Sequence, residues 1–362
     1  MVDGFEAACQ LREVSREGMQ ELFVTCAGSG VDGLAPLAER LTQTWGAGVT
    51  AAEYFGPSRN GSAHALARQV LAQVALPVTW VQGGEEDDLL GGIHLRAVSG
   101  AVVRPLVLDG AAVGTVVEGP YATECVLGGV HCPDTDRPRP EQARDTFERI
   151  ERALALADMD FSRVARTWLF LDDILSWYDD FNHVRTSFFH ERGVFDHLVP
   201  ASTGIGGSNP FGAAMVAGAY AVRAKHPAVC VQALPSPLQC PALQYGSSFS
   251  RAVEVAMPDL RRVFVSGTAS IAPGGETVHV GDVLAQTART CEVVAAILES
   301  RDLGWEHVTR ATAYVRHAAD AGVFEQYRHT AGLPPLPVVV AHNTICRDDL
   351  LFELEVDAAQ AT

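Results

Sequence analysis

Basic side chains are scarce in this sequence of 362 residues, which has 27 Lys and Arg against 44 Asp and Glu. The resulting formal charge of −17 argues against nucleic acid and anionic membrane surfaces as partners, because both repel an acidic protein. An anionic small molecule could still be a substrate, but it would need a locally basic pocket inside the acidic protein.

The sequence also lacks a signal-peptide pattern at its N-terminus and any apolar run of membrane-spanning length. Its eight cysteines are scattered and include no Cys-x-x-Cys. In a chain of this length they predict reduced thiols rather than a disulfide framework, and therefore a cytoplasmic location.

Motifs for metals and nucleotides are missing as well. No histidines occur at metal-ligand spacing, and the chain has neither a Gly-x-Ser-x-Gly elbow nor a His-Glu-x-x-His helix. The stretch Thr203-Gly-Ile-Gly-Gly207 is neither a Walker loop nor a dinucleotide fingerprint. It is turn-prone, and it either forms a simple turn or presents backbone N–H groups to an anion. We therefore expect no metal and no cofactor.

What the sequence does contain is a repeat in its middle and C-terminal parts. Val164-Ala-Arg-Thr167 matches Val308-Thr-Arg-Ala311, and Phe181-Asn-His-Val184 takes the place of Phe324-Glu-Gln-Tyr327. Self-similarity of this kind indicates a structural unit used more than once, and a site can form where two units meet. Each copy has the order strand, helix, strand, helix, strand, which predicts an α+β fold of mixed sheets with helices on one face.

The length exceeds one ordinary core, so we expect several units. The predicted organisation is an N-terminal unit over 1–115, a central unit over 116–225, a connecting segment over 226–261 and a C-terminal unit over 262–362. The N-terminal unit is the least legible, with a helix predicted over Ala63–Ala75. Two strands, 338–346 and 351–357, are predicted to close the C-terminal unit as a hairpin.

The last predicted strand alternates apolar and acidic residues. Phe352, Leu354 and Val356 lie on one face, and Glu353, Glu355 and Asp357 on the other. The acidic face is either solvated or part of a cleft, where burial would favour a protonated carboxyl.

Several motifs resemble the landmarks of the RidA/YjgF fold, also called the chorismate mutase-like fold. They are Gly281-Asp282, Gln286-Thr287, Leu303-Gly-Trp305 and Phe352-Glu-Leu-Glu355. Members of that family form trimers with clefts between subunits. The resemblance therefore implies tandem RidA-like units that form a single-chain pseudo-trimer with a degenerate N-terminal unit.

A closer resemblance, over most of the chain from about residue 20, is to the chorismatase family. It is carried by Ala201–Gly207, Gln244–Arg251, Val265–Thr268 and the pair Cys346-x6-Glu353. Chorismatases cleave the enolpyruvyl ether of chorismate and release pyruvate. One type forms 3,4-dihydroxycyclohexa-1,5-diene carboxylate, and another forms 3-hydroxybenzoate. Members of the second type resemble this chain in the cysteine at Cys346. No metal or cofactor is implied.

The resemblance also implies roles for individual residues. Glu353 would be the general acid, and Cys346 would assist formation of the aromatic ring. Because the substrate is a dianion, arginines are expected to bind it through paired hydrogen bonds. The expected substrate-binding residues are Arg251, Tyr245, Arg166, Thr203, Gly206, Gly267 and Ala269.

Two other functions stay open at this point. A RidA-like imine or enamine deaminase would need an arginine that neither Pro200-Ala-Ser-Thr203 nor Ala341-His-Asn-Thr344 supplies. A non-catalytic ligand-binding protein would be indicated by an exposed Glu353 without a pocket. As partners we expect a small anionic molecule, no nucleic acid and no membrane, with a monomer or a small homo-oligomer as the assembly.

Overall fold

The computed structural model describes residues 9–56, 76–84 and 90–362, which form three mixed sheets with helices packed on them. The elements of the first sheet are β1 (Cys9–Arg16), β2 (Met19–Ala27), α1 (Leu34–Trp45), β3 (Gly48–Gly56), β4 (Val78–Gln82) and β5 (Gly92–Ser99).

The second sheet and its helices follow directly along the chain. They are β6 (Val102–Leu108), β7 (Ala111–Glu118), β8 (Ala122–His131), α2 (Arg139–Ala155), β9 (Val164–Leu171), α3 (Tyr178–Glu191), β10 (Ala201–Gly206) and β11 (Met215–Ala224).

The third sheet completes the chain. Its elements are β12 (Cys230–Leu234), β13 (Ala252–Met257), β14 (Leu260–Ala269), α4 (Val283–Glu299), β15 (Val308–Val315), α5 (Val323–Thr330), β16 (Val338–His342) and β17 (Phe352–Ala361).

One strand order occurs in all three sheets. The second sheet has the order β10-β9-β11-β8-β7-β6, and the third has β16-β15-β17-β14-β13-β12. The first has β4-β3-β5-β2-β1, which is the same order without the outermost strand among the residues described. Each sheet has one parallel pair at the same edge, namely β3 with β4, β9 with β10 and β15 with β16. The predicted α+β fold and the single-chain pseudo-trimer are therefore confirmed.

The helices cover one face of each sheet, and the other faces meet in the centre. In α2, residues Ala143, Phe147, Ile150 and Leu154 are buried, as their spacing predicts. Three rings lie together where the sheets meet. The centroid of Phe55 is 5.8 Å from that of Phe170 and 6.0 Å from that of Tyr314, and each ring comes from a different sheet. They mark the pseudo-threefold axis.

The sheets divide the chain differently from the predicted boundaries. Residue 115 lies inside β7, which belongs with β6 to the second sheet. The expected connecting segment, 226–261, contains β12 and β13, which pair within the third sheet. Four prolines, Pro227, Pro235, Pro237 and Pro241, made the first part of this stretch resemble a connection, because proline disfavours sheet pairing. The predicted helix Ala63–Ala75 lies outside the described residues.

Three local expectations were wrong. Cys9 and Cys26 are directly opposite each other on β1 and β2 and form a disulfide, so not all cysteines are free thiols. The stretch from Thr203 to Gly206 belongs to β10 instead of a turn. The strand predicted to reach Cys346 ends at His342, and it pairs with β15, so β16 and β17 do not form a hairpin.

No helix in the described parts of the chain is long and apolar enough to cross a membrane. Over the same residues, no group of three or more His, Cys, Asp or Glu side chains is arranged to hold a metal ion.

Candidate active site

The acidic face of β17 is buried. This strand lies between β14 and β15, where Glu353 is opposite Ala269 on one side and Tyr314 on the other. Glu353 is 4% exposed, Glu355 is fully buried and Asp357 is 7% exposed. The alternative of a solvated strand face is therefore excluded, and these carboxyls lie where the second and third sheets meet.

Glu353 faces a pocket with an empty volume of about 590 Å³, including its open mouth. The walls come from the second and third units. Its lining comprises Tyr178, Arg185, Ser202, Gly204, Ser247, Phe249, Arg251, Gly267, Ala269, Ile271, Cys346, Arg347, Leu350 and Glu353. A cleft between repeated units is where the sequence predicts a site.

The environment of Glu353 favours its protonated form. Burial, together with the negative charge of Glu355, raises the pKa of Glu353 to about 8, and Arg166 opposes the rise only partly. No arginine or lysine of the described residues forms an ion pair with Glu353. A carboxyl that is buried, protonated at neutral pH and adjacent to a pocket can act as a general acid.

Three guanidinium groups make the pocket basic. Arg251 is buried, donates through Nε to the Cys240 carbonyl at 3.0 Å, and stacks over Phe249 at 5.6 Å. Arg185 is buried on α3, where its Nη2 donates to Asn182 Oδ1 at 2.7 Å. Arg347 donates to the Gly275 carbonyl at 2.8 Å. The acidic protein thus contains the basic pocket that an anionic substrate requires.

Cys346 lies in the loop between β16 and β17 and lines the same pocket as Glu353. Burial and the charge of Glu353 raise the pKa of its thiol to about 12, while Arg347 and a hydrogen bond with Tyr178 oppose the rise. The sulfur is therefore a neutral S–H group in this pocket, and its chemistry is that of a weak proton donor and soft contact.

The absence of a side chain at Gly267 makes room for the Glu353 carboxyl. A Cβ added at Gly267 would lie 2.1 Å from Glu353 Oε1, so only glycine allows this position of the carboxyl. Ala269, two residues further along β14, also lines the pocket. Gly204 faces it from β10, and there a Cβ would lie 3.7 Å from the Tyr178 hydroxyl, which is ordinary contact.

The structure brings together five of the predicted residues in this pocket, namely Glu353, Cys346, Arg251, Gly267 and Ala269. Three others, Arg166, Thr203 and Gly206, do not line it. Arg166 lies behind the pocket, with its Nη2 2.7 Å from Glu355 Oε2 and 2.5 Å from Thr203 Oγ1. Thr203 Oγ1 also accepts from the Gly267 N–H at 3.1 Å.

Gly206 is separated from the pocket as well. Its N–H donates to the Thr344 carbonyl at 2.8 Å, so it joins β10 to the loop after β16. The side chain of Tyr245 lies outside what the structure describes. Arg166 and Thr203 thus support the site from behind, and the turn-prone motif supplies wall and framework instead of an anion nest.

Sequence reasoning missed Tyr178, Arg185 and Arg347. The first two lie at the N-terminal end and on one face of α3, a helix predicted only in outline, and the third follows Cys346 directly. The sequence repeat could have indicated Arg185, because it aligns Arg185 with Arg328. Arg328 ion-pairs with Glu325 three residues earlier, whereas Asn182 occupies that place before Arg185. The repeat thus replaces an acidic neighbour of the arginine by a neutral amide in the second unit.

Only one of the three unit junctions carries the acid. Each of the three rings at the pseudo-threefold axis has one strand partner, and these partners occupy equivalent positions in the three units. Tyr314 is opposite Glu353, Phe170 is opposite Val216 and Phe55 is opposite Gly92. Valine and glycine cannot donate a proton. The pseudo-trimer therefore has one candidate catalytic carboxyl at this position.

The chain is similar in sequence to several known proteins. The sequence model of the Endoribonuclease L-PSP family matches residues 242–360. A chorismatase of Streptomyces rapamycinicus is 33% identical over 55% of this chain and 65% of its own length. A 3-hydroxybenzoate synthase of Streptomyces hygroscopicus is 28% identical over 55% of this chain and 64% of its own length.

A chorismatase crystal structure has the same fold, with a TM-score of 0.64 and 20% sequence identity over 86% of this chain and 92% of that chain. The predicted resemblance to chorismatases built on RidA-like units is therefore confirmed. The chain spans less than two thirds of the length of each of these two curated relatives.

Proposed function

From this resemblance to the chorismatases in sequence and fold, we propose that the protein is an enzyme that cleaves the enolpyruvyl ether of chorismate and releases pyruvate. The observation that carries the proposal is the buried Glu353 carboxyl, whose pKa is raised by burial, in a pocket lined by Arg185, Arg251 and Arg347. Chorismate carries two carboxylates and an enol ether, which need fixed cations and an acid.

The first step would be protonation of the enol ether by Glu353. The proton goes to the methylene carbon, which becomes a methyl group, and the ether carbon becomes an oxocarbenium-like centre. Protonation of carbon is slow, so the acid must be held beside it in the protonated state. Burial of Glu353 and the space left by Gly267 meet both requirements.

Two fates of this intermediate would give different products. Attack of water gives pyruvate and the dihydroxycyclohexadiene carboxylate. If instead the neighbouring ring hydroxyl displaces the enolpyruvyl oxygen, an epoxide-like intermediate forms and opens to 3-hydroxybenzoate. That second path consumes no water, because 3-hydroxybenzoate and pyruvate together contain all the atoms of chorismate.

We propose 3-hydroxybenzoate as the main product because Cys346 lines the pocket with Glu353. Its neutral thiol can contact the ring and assist the opening and proton loss that form the aromatic product. The diene carboxylate is the alternative product of the same first step.

The other two functions are less well supported. The deaminase arginine has no counterpart at Ser202, which lines the pocket from β10 without a charge. A non-catalytic binding protein would have an exposed Glu353 without a pocket. Here Glu353 is 4% exposed and faces a pocket.

The test is incubation of the purified protein with chorismate, with pyruvate measured enzymatically and the ring product identified by chromatography and mass spectrometry. We expect stoichiometric pyruvate and 3-hydroxybenzoate without added metal or nucleotide. Absence of pyruvate, or release that is lost with EDTA and restored by zinc, would contradict the proposal.

A further inference from the structure

We propose that Glu355 is a positioning residue for this reaction, because its carboxylate, fixed between Arg166 and Arg310, keeps the adjacent Glu353 carboxyl in the protonated form that an acid requires. The proposal rests on the proposed function and adds to it a residue that does not touch the pocket. It also gives Arg166 a different role from the predicted one of binding substrate.

The geometry around Glu355 fixes its charge. Its Oε1 is 2.7 Å from Arg310 Nη2, and its Oε2 is 2.7 Å from Arg166 Nη2. The Tyr314 hydroxyl donates to Oε1 at 3.2 Å. Both carboxylate oxygens therefore accept charged hydrogen bonds, and the side chain is fully buried. Although burial opposes ionisation, Arg310 and Arg166 keep the pKa of Glu355 below its ordinary value.

The two arginines occupy equivalent positions of the repeat. Arg166 is on β9 of the second unit, and Arg310 is on β15 of the third. Arg310 also binds Glu53 of the first unit, with Nε 2.7 Å from Glu53 Oε2. All three units thus contribute to holding one carboxylate directly behind the pocket.

Glu353 lies two residues from Glu355 on the same face of β17, roughly 7 Å along the strand. Two carboxyls at this distance in a buried site do not both ionise readily, and the one with fewer cationic partners keeps its proton. Glu355 has two arginines, whereas no arginine or lysine within the described residues ion-pairs with Glu353. The two carboxyls therefore differ in charge, with Glu355 ionised and Glu353 protonated.

Several other charged and titratable groups surround the two carboxyls. The charged groups near Glu353 are Arg166, Arg185, Arg251, Arg347 and Glu355. The neutral titratable groups near it are Tyr178, Tyr314 and Cys346. Around Glu355 lie Arg166, Arg310, Tyr314, Asp357 and, through Arg310, Glu53. Arg166 is the only cation shared between them among the described contacts.

The test measures the titration of Glu353 itself, independently of turnover. The carboxylic-acid carbonyl band of Glu353 is obtained from infrared difference spectra between the protein and Glu353→Gln across the pH range. We expect Glu355→Gln to lower the midpoint by about one pH unit or more, since it removes a nearby negative charge. We expect Arg166→Gln to raise it, since a positive charge is removed.

Asp357→Asn is the matched control. It removes a carboxylate that also binds Arg310, at 3.3 Å, but lies roughly 13 Å from Glu353 along the strand, so we expect a smaller shift. If Glu355→Gln does not fold, Arg166→Gln with Glu355→Gln removes both members of the pair. Its midpoint is then compared with that of Arg166→Gln alone and should be lower.

Midpoints that stay the same in the folded Glu355 variants would overturn the proposal, and so would a shift as large in Asp357→Asn. Pyruvate release from chorismate is measured on the same samples. If the native protein does not release pyruvate, the proposed function fails, whereas the titration still decides on its own whether Glu355 controls the protonation of Glu353.

Discussion

At the residue scale, the candidate site depends on a carboxyl and on the missing side chain opposite it. Glu353 and Gly267 form one feature, because a Cβ at Gly267 would overlap the carboxyl oxygen at 2.1 Å. The overlap is with the end of a flexible side chain, so an alanine can be accommodated by moving Glu353. That movement would take the acid away from its place beside the substrate.

We therefore expect Gly267→Ala to lower kcat for pyruvate release by about 100-fold or more while the protein stays folded, because catalysis depends on the position of the acid. Gly204→Ala is the control, since it adds the same methyl group to the same pocket at ordinary contact distance. Steady-state kinetics and thermal unfolding compare the two. Equal losses of activity in both variants would contradict the role given to Gly267.

The protonation of Glu353 also predicts how stability depends on pH. Its pKa is raised from 4.5 to about 8 in the folded protein, so the folded state binds one more proton than the unfolded state between these values. Stability that is present below pH 4.5 is therefore lost as the pH rises through about 8. Glu353→Gln has no such proton and should lack this part of the loss.

We expect Glu353→Gln to become more stable relative to the native protein as the pH is raised from 5 to 8, while pyruvate release falls by about 10²–10⁴-fold. Denaturant unfolding at several pH values measures the first effect and steady-state kinetics of pyruvate release measure the second, while binding of a substrate analogue checks that the pocket is intact. Retention of more than a tenth of the native kcat would show that Glu353 is not the acid.

Cys346 is predicted to influence the product ratio. Its thiol lines the pocket in the neutral form, so Cys346→Ala removes a ring contact without changing charge. We expect less 3-hydroxybenzoate and more diene carboxylate from this variant, measured as the ratio of the two by chromatography. Cys132→Ala serves as the control, since Cys132 is buried and does not line the pocket. An unchanged ratio would leave Cys346 as a packing residue only.

At the element scale, strand β10 contains the residues from Thr203 to Gly206 that the sequence pattern assigned to a turn. Thr203 Oγ1 accepts hydrogen bonds from Arg166 at 2.5 Å and from the Gly267 N–H at 3.1 Å, so it joins the second unit to the strand opposite Glu353. The first unit repeats this contact, because Thr79 Oγ1 accepts from the Gly129 N–H at 3.1 Å. The equivalent junction lacks the carboxyl, which makes the two threonines a matched pair.

We expect Thr203→Val to cost about 1–3 kcal/mol of stability, since buried donors lose their acceptor, and to lower kcat for pyruvate release. Thr79→Val should cost a similar amount of stability but leave kcat unchanged. Thermal unfolding and steady-state kinetics on both variants provide the comparison. If kcat falls equally in both, the loss reflects general destabilisation and not the position of Thr203.

The elements that sequence reasoning predicted well are those with a strong period or a repeat. Helix α2 and strand β17 follow from their spacing of apolar residues, and the repeat correctly aligned β9 with β15. Cys346 was placed on a strand because the β-branched Thr344 and Ile345 follow His342, although that strand pairs with β15 and then leaves the sheet. Pairing partners depend on tertiary contacts, which a local pattern does not contain.

At the scale of the whole molecule, buried ion pairs tie the three units together. Arg262 of the third unit lies 2.5 Å from Glu21 Oε2 of the first and 3.1 Å from Glu124 Oε2 of the second. Its Nη1 also donates to the Tyr220 hydroxyl at 2.8 Å. Arg16 and Arg96 contact the same two glutamates, so the cluster has cations and carboxylates from different units. The sequence shows these residues but not that they meet.

Removing Arg262 would leave two fully buried carboxylates with fewer cationic partners. Losing one partner of a buried pair typically costs about 3–5 kcal/mol, because the remaining charge stays desolvated. We expect Arg262→Met to lower the free energy of unfolding by that order, measured by denaturant titration. Arg144→Met is the control, since its partner Glu191 is exposed and such surface pairs contribute about 0–1 kcal/mol. Similar losses in the two variants would mean that the central cluster does not hold the units together. A loss confined to Arg262→Met would show that the junctions, and with them the cleft that contains Glu353, depend on charges contributed by all three units.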